Sequence, residues 1–224
     1  MIGNHFLGNG YAATFLGAFI LTSVGLLALR YGVREPETPV VRPRVSLIRR
    51  ARDIPGLFAN RDYGWFIVAQ SCAIAGRIAA PFYIIIATSV MPLDGRTIGL
   101  LSFAFLGADT VSNIIWGHIG DRTGYRATFL LTQAIMLAGL LALGLAGATI
   151  AVTLAFAAFG IANSGYQMSA QTMVLEFGAR EDLPLRLALS TTVEGTAAVL
   201  APLIGGLILH FAGSGPLLWT AAIM

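Results

Sequence analysis

The stretch GHIGDRTGYR, residues 117–126, sets two arginines, one aspartate and three glycines between two segments that are almost wholly apolar. Each flanking segment is long enough to cross a bilayer as a helix. The turn therefore marks a point where the chain leaves the hydrocarbon, reverses on glycine and re-enters it. Its charges suit helix ends and lipid phosphates at a membrane surface.

The rest of the chain agrees. Of its 224 residues, 56% are hydrophobic and only 11% charged, and the mean hydropathy is +0.77. Soluble domains carry roughly a quarter charged residues, so an ordinary soluble globule is excluded. A spanning helix needs about 20 mostly apolar residues. Windows of that kind run over residues 9–30, 64–91, 97–118, 127–147, 149–176 and 185–212, and a seventh begins at 216. The expectation is an all-α, polytopic membrane bundle of six full spans and one incomplete one. The segment from Pro216 to Met224 would rise only about 13 to 14 Å as a helix, less than half the hydrocarbon thickness.

No arginine precedes the first span, and Arg30 and Arg34 follow it, so it reads as a retained helix rather than a signal peptide. All 14 basic residues are arginines. Twelve of them fall in three places: from Arg30 to Arg61, at Arg122 and Arg126, and at Arg180 and Arg186. These are alternate loops. The positive-inside rule makes them cytoplasmic and places the N-terminus, the turn MPLDGR and the turn AGSG outside, with Arg96 the one basic residue on the outer side. Cys72 is the only cysteine, so an intramolecular disulfide is excluded. His5, His118 and His210 have no ligand spacing, and neither a metal nor a cofactor is expected.

The connector over residues 31–62 is long and arginine-rich and carries Pro36, Pro39, Pro43 and Pro55. Within it, SLIRRARDI puts Leu47, Ile48, Ala51 and Ile54 on one side of a short helix, with Arg49, Arg50 and Arg52 elsewhere. Two readings stay open: a helix lying on the anionic inner leaflet, and a solvated basic connector.

Gly117, Ile119, Gly120, Asp121, Arg122, Gly124 and Arg126 together resemble the signature G-x-L-A-D-[RK]-x-G-[RK]-[RK] of the major facilitator superfamily. Tyr125 stands where that family usually has a basic residue. The resemblance implies a helix bundle that transports small solutes, with the turn following the second helix of a six-helix half. Here it follows the third span. By that likeness, residues 1–30 correspond to the family's sixth helix, 31–62 to its basic central linker, and 63–224 to a C-terminal half whose last helix is incomplete. NRDYGWFIVAQ then matches the start of the seventh helix, and REDLPLRLAL with APLIGG the tenth-to-eleventh loop and the eleventh helix. In the family the turn's Asp and Arg help latch the cytoplasmic side against the opposite half. The resemblance thus implies a further partner, either a missing N-terminal half or a second chain. Gly117, Gly120, Asp121, Arg122, Gly124 and Arg126 are the candidate conformational gate.

Polar residues inside spans point to a solute site. Asn163, Tyr166, Gln167 and Gln171 recur at helical spacing on one face of the fifth span, which either lines a cavity or bonds neighbouring helices. Arg77 is central in the second span, where a charge costs at least about 2.5 to 3.5 kcal/mol and demands a partner. Gln70, seven residues earlier, shares its face. Asp109 lies at a similar depth in the third span, and Glu194 nearer the cytoplasmic end of the sixth. Burial favours the neutral form of a carboxyl, so both are candidate proton carriers. Gln70, Arg77, Asn163, Tyr166, Gln167 and Gln171 are candidate solute contacts. A purely structural pairing of Arg77 with Asp109 is the competing reading. Pro81, four residues after Arg77, removes a helix hydrogen bond.

Other classes find less support. Asp109 and Asp121 lack the context of a membrane aspartyl protease, and no G-x-S-x-G stretch or Ser-His pair stands out. GNGYAA, residues 8–13, mimics a dinucleotide fingerprint but opens a membrane span with no strand before it. A chain without lysine has no G-x-x-x-x-G-K loop for ATP. The expected function is secondary transport of a small solute by alternating access across a lipid bilayer, in a cell membrane of bacterial inner-membrane type, with no nucleic-acid partner. The alternative is a transporter-like remnant that binds or regulates without moving solute.

Overall fold

The computed structural model describes residues 10–33, 47–92, 94–178 and 182–224. The chain divides into two compact units, residues 1–45 and 46–224. In the first, α1 (Gly10–Gly32) is an apolar helix with Arg30 in its last turn, whose guanidinium lies 5.7 Å from the ring centroid of Tyr31. Thr22 satisfies its hydroxyl locally by donating to the Ala18 carbonyl at 2.9 Å, which lets a polar side chain sit in an apolar helix at little cost.

The second unit runs α2 (Leu47–Leu57), α3 (Arg61–Ala75), a 3₁₀ segment (Gly76–Phe82), α4 (Tyr83–Ala87), α5 (Gly95–Thr123), α6 (Tyr125–Gly144), α7 (Thr149–Glu176), α8 (Leu183–Ala212) and α9 (Ser214–Ile223). Counting α1, and α3 through α4 as one, six helices among the described residues are long and apolar enough to cross a membrane. The helix α9 is 10 residues long, about 15 Å of rise. The architecture is an all-α membrane bundle, as the apolar windows require. The proline-rich residues 34–46, Leu93 and the stretch 179–181 with Arg180 lie outside the described residues, as do the side chains of Leu47, Ile48 and Ala51.

Local chemistry sets the boundaries. Asn60 begins α3, its Oδ1 accepting from the backbone N–H groups of Asp62 and Tyr63 at 3.0 and 3.2 Å. Asp94 begins α5 by accepting from the N–H of Thr97 at 2.7 Å. Each satisfies donors that a helix start leaves orphaned. Between α5 and α6, Gly124 has φ of 85°, a left-handed conformation that residues with a Cβ adopt only at a cost. Within the second span, Pro81 has no N–H to give the Arg77 carbonyl, and its ring crowds that oxygen. The helix accordingly tightens to 3₁₀ from Gly76 to Phe82, placing Arg77 at the break.

Packing centres on α7, which lies mainly against α5 and α6. Lipid gives helices no hydrophobic reason to associate, so close contact and interhelical hydrogen bonds must hold them. A Cβ on Gly160 would run into the Phe105 carbonyl of α5, and one on Gly165 into Thr132 and Trp116. The Ser112 and Ser164 hydroxyls meet at 2.7 Å, and the Trp116 indole N–H donates to the Ile161 carbonyl at 2.8 Å. On the other side, α8 packs against α3 and the 3₁₀ segment.

The largest buried cluster joins Ile78 and Tyr83 to Leu101, Leu140, Phe156, Phe159 and Leu217. A second, of Leu57, Tyr63, Phe66, Ile67 and Val174, draws the end of α2 onto α3 and α7. Between α7 and α8 contact is sparse, and the space between them opens beside the 3₁₀ segment.

Candidate functional site

Arg77 leaves the 3₁₀ segment and reaches α7. Its Nη1 donates to the Asn163 Oδ1 at 3.1 Å, and the Asn163 Nδ2 donates to the Asp109 Oδ1 of α5 at 3.0 Å. One amide thus joins a cation to a carboxylate on a third element. Among the described residues Arg77 makes no direct ion pair with Asp109; Asn163 stands between them. Asn163 is suited to this because an amide offers a donor and an acceptor on one planar group. The Asp109 backbone carbonyl in turn accepts from Ser112 at 3.1 Å and Asn113 at 3.0 Å.

One turn further along α7, Tyr166 is almost fully buried. The Arg77 Cζ lies 4.1 Å from its ring centroid, a cation–π contact. At the far edge of the ring the hydroxyl donates to the Glu194 Oε1 of α8 at 2.9 Å. Tyr166 therefore carries a cation on its face and a carboxylate at its tip. Gln70, also buried, accepts from the Ser190 hydroxyl at 2.9 Å. The Arg77 Nε and the Tyr83 hydroxyl are buried with no hydrogen-bond partner among the described residues.

Two hollows adjoin this network. The larger, about 460 Å³, is lined by Arg77, Pro81, Tyr166, Gln167, Thr191 and Glu194 among others. The smaller, about 320 Å³, is lined by Gln70, Gln171, Ser190, Thr191 and Glu194 among others. They share Thr191 and Glu194, so the α8 wall belongs to both. Volumes of this order suit small molecules. Gln167 and Gln171 are exposed and adjacent, the Gln171 Nε2 donating to the Gln167 Oε1 at 3.5 Å. A third hollow, about 410 Å³ between α3, α6 and α9, has no charged side chain in its wall.

The structure thus gathers Gln70, Arg77, Asn163, Tyr166, Gln167, Gln171, Asp109 and Glu194 into one connected region spanning α3, the 3₁₀ segment, α5, α7 and α8. Asp109 touches it only through Asn163 and is absent from the walls of both hollows. Sequence reading passed over Ser190 and Thr191. Both are polar and lie four and three residues before Glu194, so helical spacing placed them on its face.

The charged turn is separate. Asp121 lies twelve residues along α5 from Asp109, roughly 18 Å of helix. Asp121, Arg122 and Arg126 are exposed. The Tyr125 hydroxyl donates to the Asp121 Oδ1 at 3.0 Å, and its ring lies where a Cβ on Gly120 would intrude, at 2.5 Å. Gly124 supplies the reversal through its positive φ, whereas a Cβ on Gly117 would meet nothing within 4 Å.

A family model described as Major Facilitator Superfamily matches residues 66–224, more than half of the chain and every helix from α5 onward. With six helices among the described residues long and apolar enough to span a membrane, a glycine-turned charged loop and a polar network held between helices, the chain is a multi-pass membrane transporter belonging to the major facilitator superfamily.

Proposed function

We propose that this chain moves a small solute by alternating access, with the solute held in the cavity between the 3₁₀ segment, α7 and α8. Arg77, Tyr166, Gln167, Gln70, Asn163 and Gln171 hold or orient it, and the Asp109 and Glu194 carboxyls carry the coupling proton. Residues 1–30 act as the sixth helix of the family's plan, 31–62 as its basic connector and 63–224 as its C-terminal half. The opposing half comes from the same longer chain or from a second chain. The turn of Gly117, Gly120, Asp121, Arg122, Gly124 and Arg126 works as the gate on the cytoplasmic side of a bacterial inner membrane.

The observation that carries this reading is the pair of unlike charges, Arg77 and Glu194, that both line an open cavity inside apolar spans. Charges there are costly and mark substrate or ion pathways. The 3₁₀ break beside Arg77 adds a point where the span can bend.

The test needs no knowledge of the solute. In the complete transporter in membranes, with Cys72→Ser, a cysteine is placed in the cavity wall as Ala198→Cys and treated with a membrane-impermeant maleimide from each side. Alternating access expects labelling from both sides, each reduced when the other is trapped open. Labelling from one side only, under every condition, would sink the proposal in favour of a non-transporting binding protein.

A further inference from the structure

Resting on the reading of this cavity as the solute site, we propose that the solute is a small zwitterion, an ammonium and a carboxylate on an apolar body, with its carboxylate at Arg77 and its ammonium at Glu194.

The spacing of the two wall charges carries the assignment. Arg77 and Glu194 both line the cavity of about 460 Å³, yet among the described residues they form no direct ion pair. Tyr166 holds them apart, taking the guanidinium on its face at 4.1 Å and giving its hydroxyl to the carboxylate at 2.9 Å. Unlike charges in direct contact would neutralise one another and offer a solute little. Held one phenol ring apart at a cavity wall, each keeps capacity for a partner, and their attraction is strong where water is scarce.

The unused hydrogen-bonding groups agree. Arg77 spends Nη1 on the neutral Asn163 amide; its Nε is buried out of reach of the cavity, and among the described residues no hydrogen bond engages its Nη2. A carboxylate is the acceptor whose charge matches that remaining guanidinium donor. Glu194 accepts from Tyr166 through Oε1, leaving Oε2 for an ammonium, and Thr191 one turn earlier shares both hollows. Apart from the neutral amide of Gln167, the remaining wall is apolar, including Ala80, Pro81, Ala198 and Pro202. It offers room for an apolar body and no further charge to match. A solute bearing only a carboxylate would be set near Glu194 with nothing to offset it. One bearing only an ammonium would face Arg77 in the same way.

Leucine and phenylalanine serve as zwitterionic probes. Their amides keep only the ammonium, and their N-acetyl derivatives keep only the carboxylate. Each is tested for protection of Ala198→Cys, in the Cys72→Ser complete transporter in membranes, against maleimide. The expected result is protection by at least one zwitterion at a concentration about tenfold or more below that of its two singly charged analogues, each of which forfeits one charge-assisted contact. In Arg77→Gln that advantage over the amide disappears, in Glu194→Gln the advantage over the N-acetyl form disappears, and Arg77→Lys restores part of it.

Because the six-compound ranking is taken with Arg77 and Glu194 intact, it stands even if those variants fail to fold. Equal or better protection by a singly charged analogue, or no protection by any of the six, overturns the zwitterion. Either result leaves the cavity reading standing as long as the cysteine is labelled from both sides. Only loss of two-sided labelling removes that reading as well.

Discussion

The Arg77 guanidinium sits over Tyr166 with its Cζ 4.1 Å from the ring centroid, while the hydroxyl of the same ring bonds Glu194 at 2.9 Å. One side chain of α7 thus reads a charge on each of two other elements. Removing the hydroxyl alone and removing the ring are different experiments. Tyr166→Phe should keep the cation–π contact, worth about 0.5 to 2 kcal/mol, and lose only the bond to Glu194. Tyr166→Leu should lose both. Thermal unfolding in detergent should rank wild type above Phe above Leu; a Phe variant as unstable as Leu would mean that the ring face contributes nothing.

The crossing of α5 and α7 depends on Gly160, where a Cβ would meet the Phe105 carbonyl. Backbone cannot swing aside as a side-chain tip can. Gly160→Ala should therefore cost about 1 to 3 kcal/mol, the range for overpacking a filled interior. Gly99→Ala on the same α5 meets nothing within 4 Å and should be near neutral or slightly stabilising. Equal unfolding temperatures for the two variants would refute the close crossing.

In the charged turn two glycines of the same signature should behave differently. Gly124 has φ of 85° and Gly117 has open space around its absent Cβ. Gly124→Ala should destabilise by about 1 to 2 kcal/mol, the cost of a left-handed residue with a Cβ, and Gly117→Ala by much less. Limited proteolysis at the turn, with the two variants side by side, reads the difference. A turn nicked equally fast in both would contradict it.

Asp94 caps α5 outside the spans, and the hydrogen bonds from Thr97 hold its carboxyl below the usual carboxylate range. A folded-state value below the unfolded one means that the cap stabilises above the unfolded value, about 3.9, and loses that contribution as pH falls through the lower folded value. The stability gap between wild type and Asp94→Ala should stay constant from about pH 8 to 5 and close only below about pH 4. A gap that closes already near neutrality would mean that a different group is titrating.

The proposed proton coupling is tested separately at Asp109 and Glu194. Glu194 lines the cavity, whereas Asp109 lines neither hollow and is linked to Arg77 through Asn163. Transport by the wild type should depend on pH, and Asp109→Asn and Glu194→Gln should each reduce that dependence. Unchanged pH profiles in both variants would remove the carboxyls from the coupling step.

How much of this was legible beforehand differs from feature to feature. The six spans, the reversal at GHIGDRTGYR and the break near Pro81 follow from apolar run length, glycine and proline, properties carried along the chain itself. So does the need of Arg77 for partners, since an intramembrane charge is costly wherever its helix points. The identity of those partners was not legible. A direct pair of Arg77 with Asp109 was one of two readings the sequence left open; the folded chain inserts Asn163 between them and sets the guanidinium over Tyr166. Gln70, grouped with Arg77 by spacing, is bonded to Ser190 on α8.

By itself, then, the sequence determined that this is a membrane-spanning helical chain, where it turns, and which side chains are too polar to face lipid. Only the tertiary structure decided which of those side chains meet. That choice depends on the rotation of each helix about its axis and on how closely helices cross, and a missing Cβ, as at Gly160 against Phe105, permits one such close crossing.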